Sequence, residues 1–196
     1  KTKYEIAKRM SIVTHRYLDI FVAETVMDEI AFGLESLAMS KSDIIDLITS
    51  ESRLFKLNDL LERDPSSLGS SDKTKMKILS SLIIKPKVLV LDNVICELDY
   101  NDKLLVFDIL KEYTKNGGIV INFTTDIEEA LFGDKIIIIN DKKVVCEGKT
   151  MSVLNEEKLL KRFGIGLPFM IELSKYLMDY GMIKLRIPSN HTWESD

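Results

Sequence analysis

Two cysteines in 196 residues, Cys96 and Cys146, leave no disulfide framework and no C-x-x-C pair for a zinc ribbon or redox centre. Both sit in apolar, strand-like stretches, which predicts reduced core thiols in a cytosolic protein. No apolar run approaches the roughly 20 residues that a membrane-spanning helix needs. Ile136–Ile139, behind Lys135, is among the longest, and nothing resembles a signal peptide. An excess of basic residues is also missing. The 27 Lys and Arg are interleaved with 31 Asp and Glu for a net charge of −4, which argues against a nucleic-acid partner. There is no internal repeat and no low-complexity segment. The first residue is Lys1 rather than methionine, so the natural N-terminus is expected to lie outside this sequence. With 45% hydrophobic and 30% charged residues, the chain can bury one ordinary core and a small appendage.

What is present changes texture twice. Thr25–Leu37 spaces Val26, Ile30, Leu34 and Leu37 as one helical face, and Ser42 is placed to cap a helix carrying Ile44, Ile45 and Ile48. A break at Asp64-Pro65-Ser66-Ser67 precedes a helix from about Ser70 through Met76, Leu79 and Ile83, ending before Pro86. Residues 24–84 therefore read as all-helical. Val88–Leu91 then reads as a strand buried on both faces of a parallel sheet. A helix from Asp102 to about Thr114 ends at Gly117-Gly118, and Ile119–Phe123 gives another strand. Thr125 with Glu128 fits a capping box. Lys135–Asn140 and Val144–Glu147 flank a hairpin turn, and Met151–Phe163 and Phe169–Tyr180 read as helices. The tail from Pro188 is polar and is expected to be mobile. Strand and helix alternate as in an α/β layer.

Four blocks carry more specific information. Leu68-Gly69-Ser70-Ser71-Asp72 opens a helix just before the strand that ends in Asp92-Asn93, and Glu97-Leu98-Asp99 closes the following loop. Further on, Asn122-Phe123-Thr124-Thr125-Asp126 ends a strand ahead of Glu128-Glu129-Ala130. In order and spacing these blocks resemble the signature loop, Walker B strand, D-loop and switch strand of ATP-binding-cassette (ABC) ATPases. Val22-Ala23-Glu24-Thr25-Val26 with Asp28–Glu35, and the later Gly164–Pro168 with Ile171-Glu172-Leu173, are similar to the energy-coupling-factor (cobalt-type) importer ATPases. The resemblance covers residues 5–182.

The resemblance implies an α/β fold: part of a P-loop (RecA-like) ABC ATPase core with a helical subdomain and a small C-terminal helical extension. Four regions follow from it: 1–23 as a remnant of the core and Q-loop, 24–84 as the helical signature subdomain, 85–150 as the α/β core, and 151–196 as the extension and tail. It also implies ATP and Mg2+ as cofactors. The implied partners are a second ABC ATPase subunit and an integral membrane transporter subunit, with the chain peripheral on the inner face of the cell membrane. Asp92 then matches the magnesium-holding aspartate, against the plainer reading of an acid that caps a loop. Asn93 stands at the position of the catalytic glutamate. An amide can hold water but has no useful basicity, and losing a positioned base costs about a hundred- to ten-thousand-fold in rate. Thr125 occupies the switch-histidine position, where a helix cap is the favoured reading. His15 aligns with the Q-loop glutamine.

In the signature, Leu68-Gly69-Ser70-Ser71-Asp72 replaces Leu-Ser-Gly-Gly-Gln. Gly69 deletes a phosphate-binding hydroxyl, Ser70 and Ser71 add side chains where backbone should approach closely, and Asp72 adds charge. A capped helix start is the competing reading. Asp99 keeps the D-loop aspartate at the dimer interface. Phe21, Val22, Phe32 and Leu34 are candidates for the groove that takes the membrane subunit, with Phe32 and Leu34 favoured as core. No G-x-x-x-x-G-K-[ST] run occurs. Because the Q-loop region begins by about residue 13, that loop is expected before Lys1 if it exists. The expected function is the ATP-binding subunit of an importer with degenerate catalytic positions. The alternative is a non-catalytic scaffold that contributes dimerisation and membrane-subunit docking.

Overall fold

β1 (Met10–Thr14), β2 (Val88–Asp92) and β3 (Ile119–Phe123) form a parallel sheet in the order β1-β2-β3. These strands belong to a computed structural model that describes residues 9–15, 21–35 and 39–183. The chain divides into two units, one ending at Thr124 and the other starting at Thr125.

Register decides which face of the sheet is buried. Val13, Leu91 and Asn122 lie side by side, as do Ser11, Leu89 and Val120. Leu89 and Leu91 are fully buried beneath the helices. The other face carries Ile12, Ile119, Ile121 and Phe123, all exposed, with Val88 and Val90 half-buried between them. The expectation that Val88–Leu91 is buried on both faces is therefore corrected: among the described residues, helices cover one side and the other stays open.

Among the described residues, four α-helices complete the first unit. α1 (Val26–Ala31) is capped by Thr25, whose Oγ1 accepts from the Asp28 N–H at 3.1 Å. It is shorter than the predicted Thr25–Leu37 helix, and Leu37 lies outside the described residues. α2 (Lys41–Leu54) is capped by Ser40, not Ser42: the Asp43 N–H donates to Ser40 Oγ at 3.2 Å. Ile44 and Ile48 turn inward and Ile45 outward. α3 (Ser70–Leu82) packs on α1 and β1, and α4 (Tyr100–Lys115) packs on β3. Val26, Ile30, Leu34, Ile48, Phe55, Met76, Ile78 and Leu79 form the core with the two β2 leucines. Cys96 is exposed on the turn Ile95–Glu97, so it is not the core thiol expected; that segment is a tight turn rather than strand.

In the second unit, β4 (Lys135–Asn140) and β5 (Lys143–Lys149) pair antiparallel. Asp141 and Lys142 both take positive φ (49° and 63°), as a two-residue hairpin turn requires. α5 (Thr150–Leu154), α6 (Glu157–Arg162) and α7 (Phe169–Asp179) follow, and Ile138, Val153, Leu154, Leu160 and Ile171 form their core. The helix expected over Met151–Phe163 is broken at Asn155-Glu156. The Thr125–Glu128 capping box does not form. Asp126 caps the short turn Ile127–Phe132 by accepting from the Glu128 N–H at 2.9 Å, while Glu128 Oε1 accepts from the Phe169 N–H at 2.6 Å. The polar tail from Pro188 lies outside the described residues.

Candidate functional site

Parallel strands in register end together, and ligands of open α/β sheets gather at the carboxyl ends. Here Thr14, Asp92 and Phe123 are in register at that end. The His15 N–H donates to the Asp92 carbonyl at 3.1 Å and the Asn93 N–H to the Phe123 carbonyl at 2.9 Å, so the ladder extends one residue past β1 and β2. This juxtaposes His15, Asp92 and Asn93.

Asp92 is exposed at the tip of the central strand. Asn93 has φ 52°, in the left-handed region that asparagine tolerates better than most residues. The chain must turn there, since β2 gives way directly to the tight turn Ile95–Glu97. Its carbonyl accepts from the Cys96 thiol at 3.1 Å. His15 Nδ1 lies 3.2 Å from Glu97 Oε1, with both side chains about one-third exposed (33% and 34%). Beside this pair is a small cleft of about 50 Å³, lined by Thr14, His15, Ser70, Lys73, Val94 and Glu97 among others.

The first residues of α3 divide by role. Leu68 is buried as a core anchor. Gly69 and Ser70 are exposed, and Gly69 makes no side-chain cap, so the helix N-terminus faces outward through backbone and Ser70. Ser71 points inward: its hydroxyl donates to Asp102 Oδ2 at 2.6 Å and accepts from the Asp99 N–H at 3.3 Å. Asp99 caps α4, its Oδ1 accepting from the Asp102 N–H at 2.9 Å.

Lys75 completes the network. Its Nζ is 2.9 Å from Asp102 Oδ2 and 3.0 Å from Asp72 Oδ1, and its side chain is only 5% exposed. Burial pushes the Lys75 ammonium down, but hydrogen bonds to Asp102 and Asp72 outweigh that and hold its pKa above the ordinary lysine value. Burial likewise pushes the Asp102 carboxyl up, and the Ser71 hydroxyl and the Lys75 ammonium reverse the direction, so its pKa lies below the ordinary value.

Thr125 is exposed and opens the second unit, where it does not serve as the helix cap. Of the residues expected to bind the membrane subunit, Leu34 is core and Phe21 is partly buried against the core. Phe32 is 65% exposed, which corrects its assignment to the core, and Val22 is 74% exposed. Both N–H groups of Val22 and Ala23 donate to Glu29 Oε2, at 2.9 and 3.0 Å, and this fixes the loop that presents Val22.

Sequence reasoning passed over Glu97 as a partner of His15, and Lys75 and Asp102 altogether. A signal existed: Asp102 stands three residues after the cap Asp99, and Lys75 stands three residues after Asp72. Among the described residues no three His, Cys, Asp or Glu side chains cluster as a metal site, and no helix is long and apolar enough to cross a membrane.

No family model matches the chain. Over 193 residues it is 29% identical to the energy-coupling factor transporter ATP-binding protein EcfA of Pediococcus pentosaceus, covering 96% of this chain and 69% of that protein. It is 30% identical over 174 residues to EcfA1 of Mycoplasmopsis synoviae, covering 88% and 65% respectively. With EcfA1 of Bacillus subtilis it shares 29% over 189 residues, covering 96% and 66%. The chain thus spans about two thirds of the length of these curated relatives. Among solved structures, cbiO1 of Clostridium perfringens, part of the ABC transporter complex cbiONQ, matches with TM-score 0.70 and 20% identity over 88% of this chain and 69% of its own. The ATP-binding cassette MJ0796, a dimer in a post-hydrolysis state bound to ADP and Pi, matches with TM-score 0.68 and 21% identity, covering 76% and 68%. At these identities the two structures speak for the fold alone.

Proposed function

We propose that the chain is an ATP-binding-cassette subunit of the energy-coupling-factor group, the ATP-binding subunit of an importer whose own hydrolytic position is disabled; its similarity to the curated energy-coupling factor ATP-binding proteins supports this. In this reading it pairs with a second cassette and docks on an integral membrane subunit at the inner face of the membrane. It couples the nucleotide cycle of the pair to transport.

Asn93 carries the reading. It follows the acid at the tip of the central strand, where a cassette that hydrolyses at this position uses a carboxylate to take the proton of the attacking water. An amide in that place orients water without accepting its proton. The left-handed backbone at Asn93 supports it, since this conformation favours asparagine over the longer acid. Thr125 replaces the switch imidazole with a hydroxyl, and His15, in the Q-loop glutamine's place, is paired with Glu97.

The residues present fit magnesium better than they fit a triphosphate. Asp92 is an exposed carboxylate, and Mg2+ is ordinarily held by one or two carboxylates together with substrate phosphates. The sequence has no glycine-lysine loop to cradle phosphates, and Gly69 brings no hydroxyl. Among the described residues, the open N-terminus of α3 at Gly69 and Ser70 is offered to a nucleotide, its backbone N–H groups favouring an anion carried by a partner cassette. No step of hydrolysis is assigned to residues of this chain.

One observation favours the scaffold reading. Ser71 spends its hydroxyl on Asp102 and Asp99 rather than presenting it outward. Equilibrium binding of magnesium-ATP to the full-length protein, alone and with its partner cassette, separates the two. Saturable binding in the paired state is the expected result. Absence of binding in both states supports the scaffold and overturns the importer reading.

A further inference from the structure

Ser71 sits where its family places a glycine, and a hydroxyl there has no use unless something receives it. Here two groups at the start of α4 do so. The hydroxyl gives its proton to Asp102 in the first turn of α4 and takes the N–H of Asp99, the cap of that same helix. Asp102 is held in turn by Lys75, one helical turn beyond Ser71 on α3. Charge-assisted bonds of this length are the strong ones, and the Lys75 ammonium has almost no access to competing water. α3 and α4 are thus pinned at their N-termini, the ends that carry Gly69-Ser70 and Asp99.

We propose that Ser71 is a positioning residue: with Asp102 and Lys75 it tethers the Asp99 loop to the start of α3, so that the loop and the outward-facing Gly69-Ser70 backbone move as one body. The proposal deepens the importer reading above and rests on it for its functional consequence. A glycine at position 71 leaves the Asp99 loop without its own bond to α3, the two helices then being joined only through Lys75 and Asp102. The serine makes any displacement of one a displacement of both. Ser71 therefore does not contact nucleotide. It sets where the groups that face the partner cassette stand.

Two readouts on the intact protein test this. The first is hydrogen–deuterium exchange of the segment spanning residues 97–103, in wild type, Ser71→Ala and Ser71→Thr. Loss of the hydroxyl is expected to speed exchange at the first turn of α4 by about tenfold, and threonine, which keeps the hydroxyl, is expected to restore it. Unchanged exchange in Ser71→Ala overturns the tether.

The second readout is ATP turnover by the importer assembled with its partner cassette and membrane subunit, in a double-mutant cycle of Ser71→Ala and Asp102→Asn. If the pair acts as one positioning unit, each single variant lowers kcat by about tenfold with KM for ATP little changed, and the double variant falls no further. Ser71→Thr is expected to keep wild-type kcat. Faster exchange with kcat unmoved reduces the contact to packing and overturns the positioning role. A wild-type assembly that turns over no ATP refutes the importer reading, and the exchange result alone then decides the tether.

Discussion

Asp102→Ala removes the carboxylate that Lys75 and Ser71 share, and leaves a lysine head group that is only 5% exposed. Breaking a buried ion pair by deleting one partner costs about 3–5 kcal/mol. The lower end applies, because Asp72 stays 3.0 Å from Lys75 but is itself 35% exposed and so a weaker partner. With a urea slope of about 2 kcal/mol per molar, a loss of about 3 kcal/mol moves the midpoint by about 1.5 M. Far-UV circular dichroism of the urea transition measures it. Adding Lys75→Met removes the stranded charge while keeping an apolar stem of similar length, so the double variant is expected to return to within about 1 kcal/mol of wild type.

The pH dependence of the same gap has a fixed sign. The Asp102 pKa is lowered in the folded state, so its contribution is complete above the unfolded carboxylate value of about 3.9 and is lost as pH falls through the folded value. The Lys75 pKa is raised, so its contribution holds below about 10.4 and is lost as pH rises through the folded value. The difference between wild type and Asp102→Ala is therefore flat from about pH 5 to 9 and shrinks in acid. A loss under about 1 kcal/mol at neutral pH, or a double variant whose loss is the sum of the singles, refutes this reasoning.

Three further outcomes are expected. Asn93→Gly keeps the left-handed turn and leaves stability within a few tenths of a kcal/mol, whereas Asn93→Glu loses about 1 kcal/mol; thermal melts compare them. Gly69→Ser enters open space at an extended N-cap position, so it is expected to stabilise α3 by only about a few tenths of a kcal/mol, read from the same melts. Gly118→Ala drives a methyl into the Tyr113 ring, whose hydroxyl donates to the Pro86 carbonyl. Displacing that ring is expected to cost about 1–3 kcal/mol, with a change in near-UV circular dichroism from the tyrosine.

Most elements of the chain were legible because their patterns are local. Val88–Leu91, Ile119–Phe123 and the turn at Asp141-Lys142 announce themselves by β-branching and turn chemistry, and Val26, Ile30 and Leu34 by helical spacing. The misread features depend on what lies across the fold. Ser42 and Ser40 are equivalent caps until the backbone chooses one. Thr125 and Asp126 compete likewise, and Glu128 leaves the box for the Phe169 N–H. Val88 and Val90 look like a doubly covered strand, yet among the described residues helices cover the opposite face. In the site, Asp92, Asn93 and Asp99 are picked out as candidates by their order along the chain. Lys75 and Asp102 carry only local cues, three residues after Asp72 and Asp99, and that spacing says nothing of the ion pair they form between two helices. Ser71 reads as an obstruction at a phosphate site, whereas its hydroxyl faces the protein.

The most direct measurement is steady-state ATP turnover by the full-length subunit alone, with saturating magnesium-ATP. With Asn93 in place of a catalytic base, turnover is expected at the level of the protein-free blank. Turnover typical of a competent cassette dimer contradicts a disabled site.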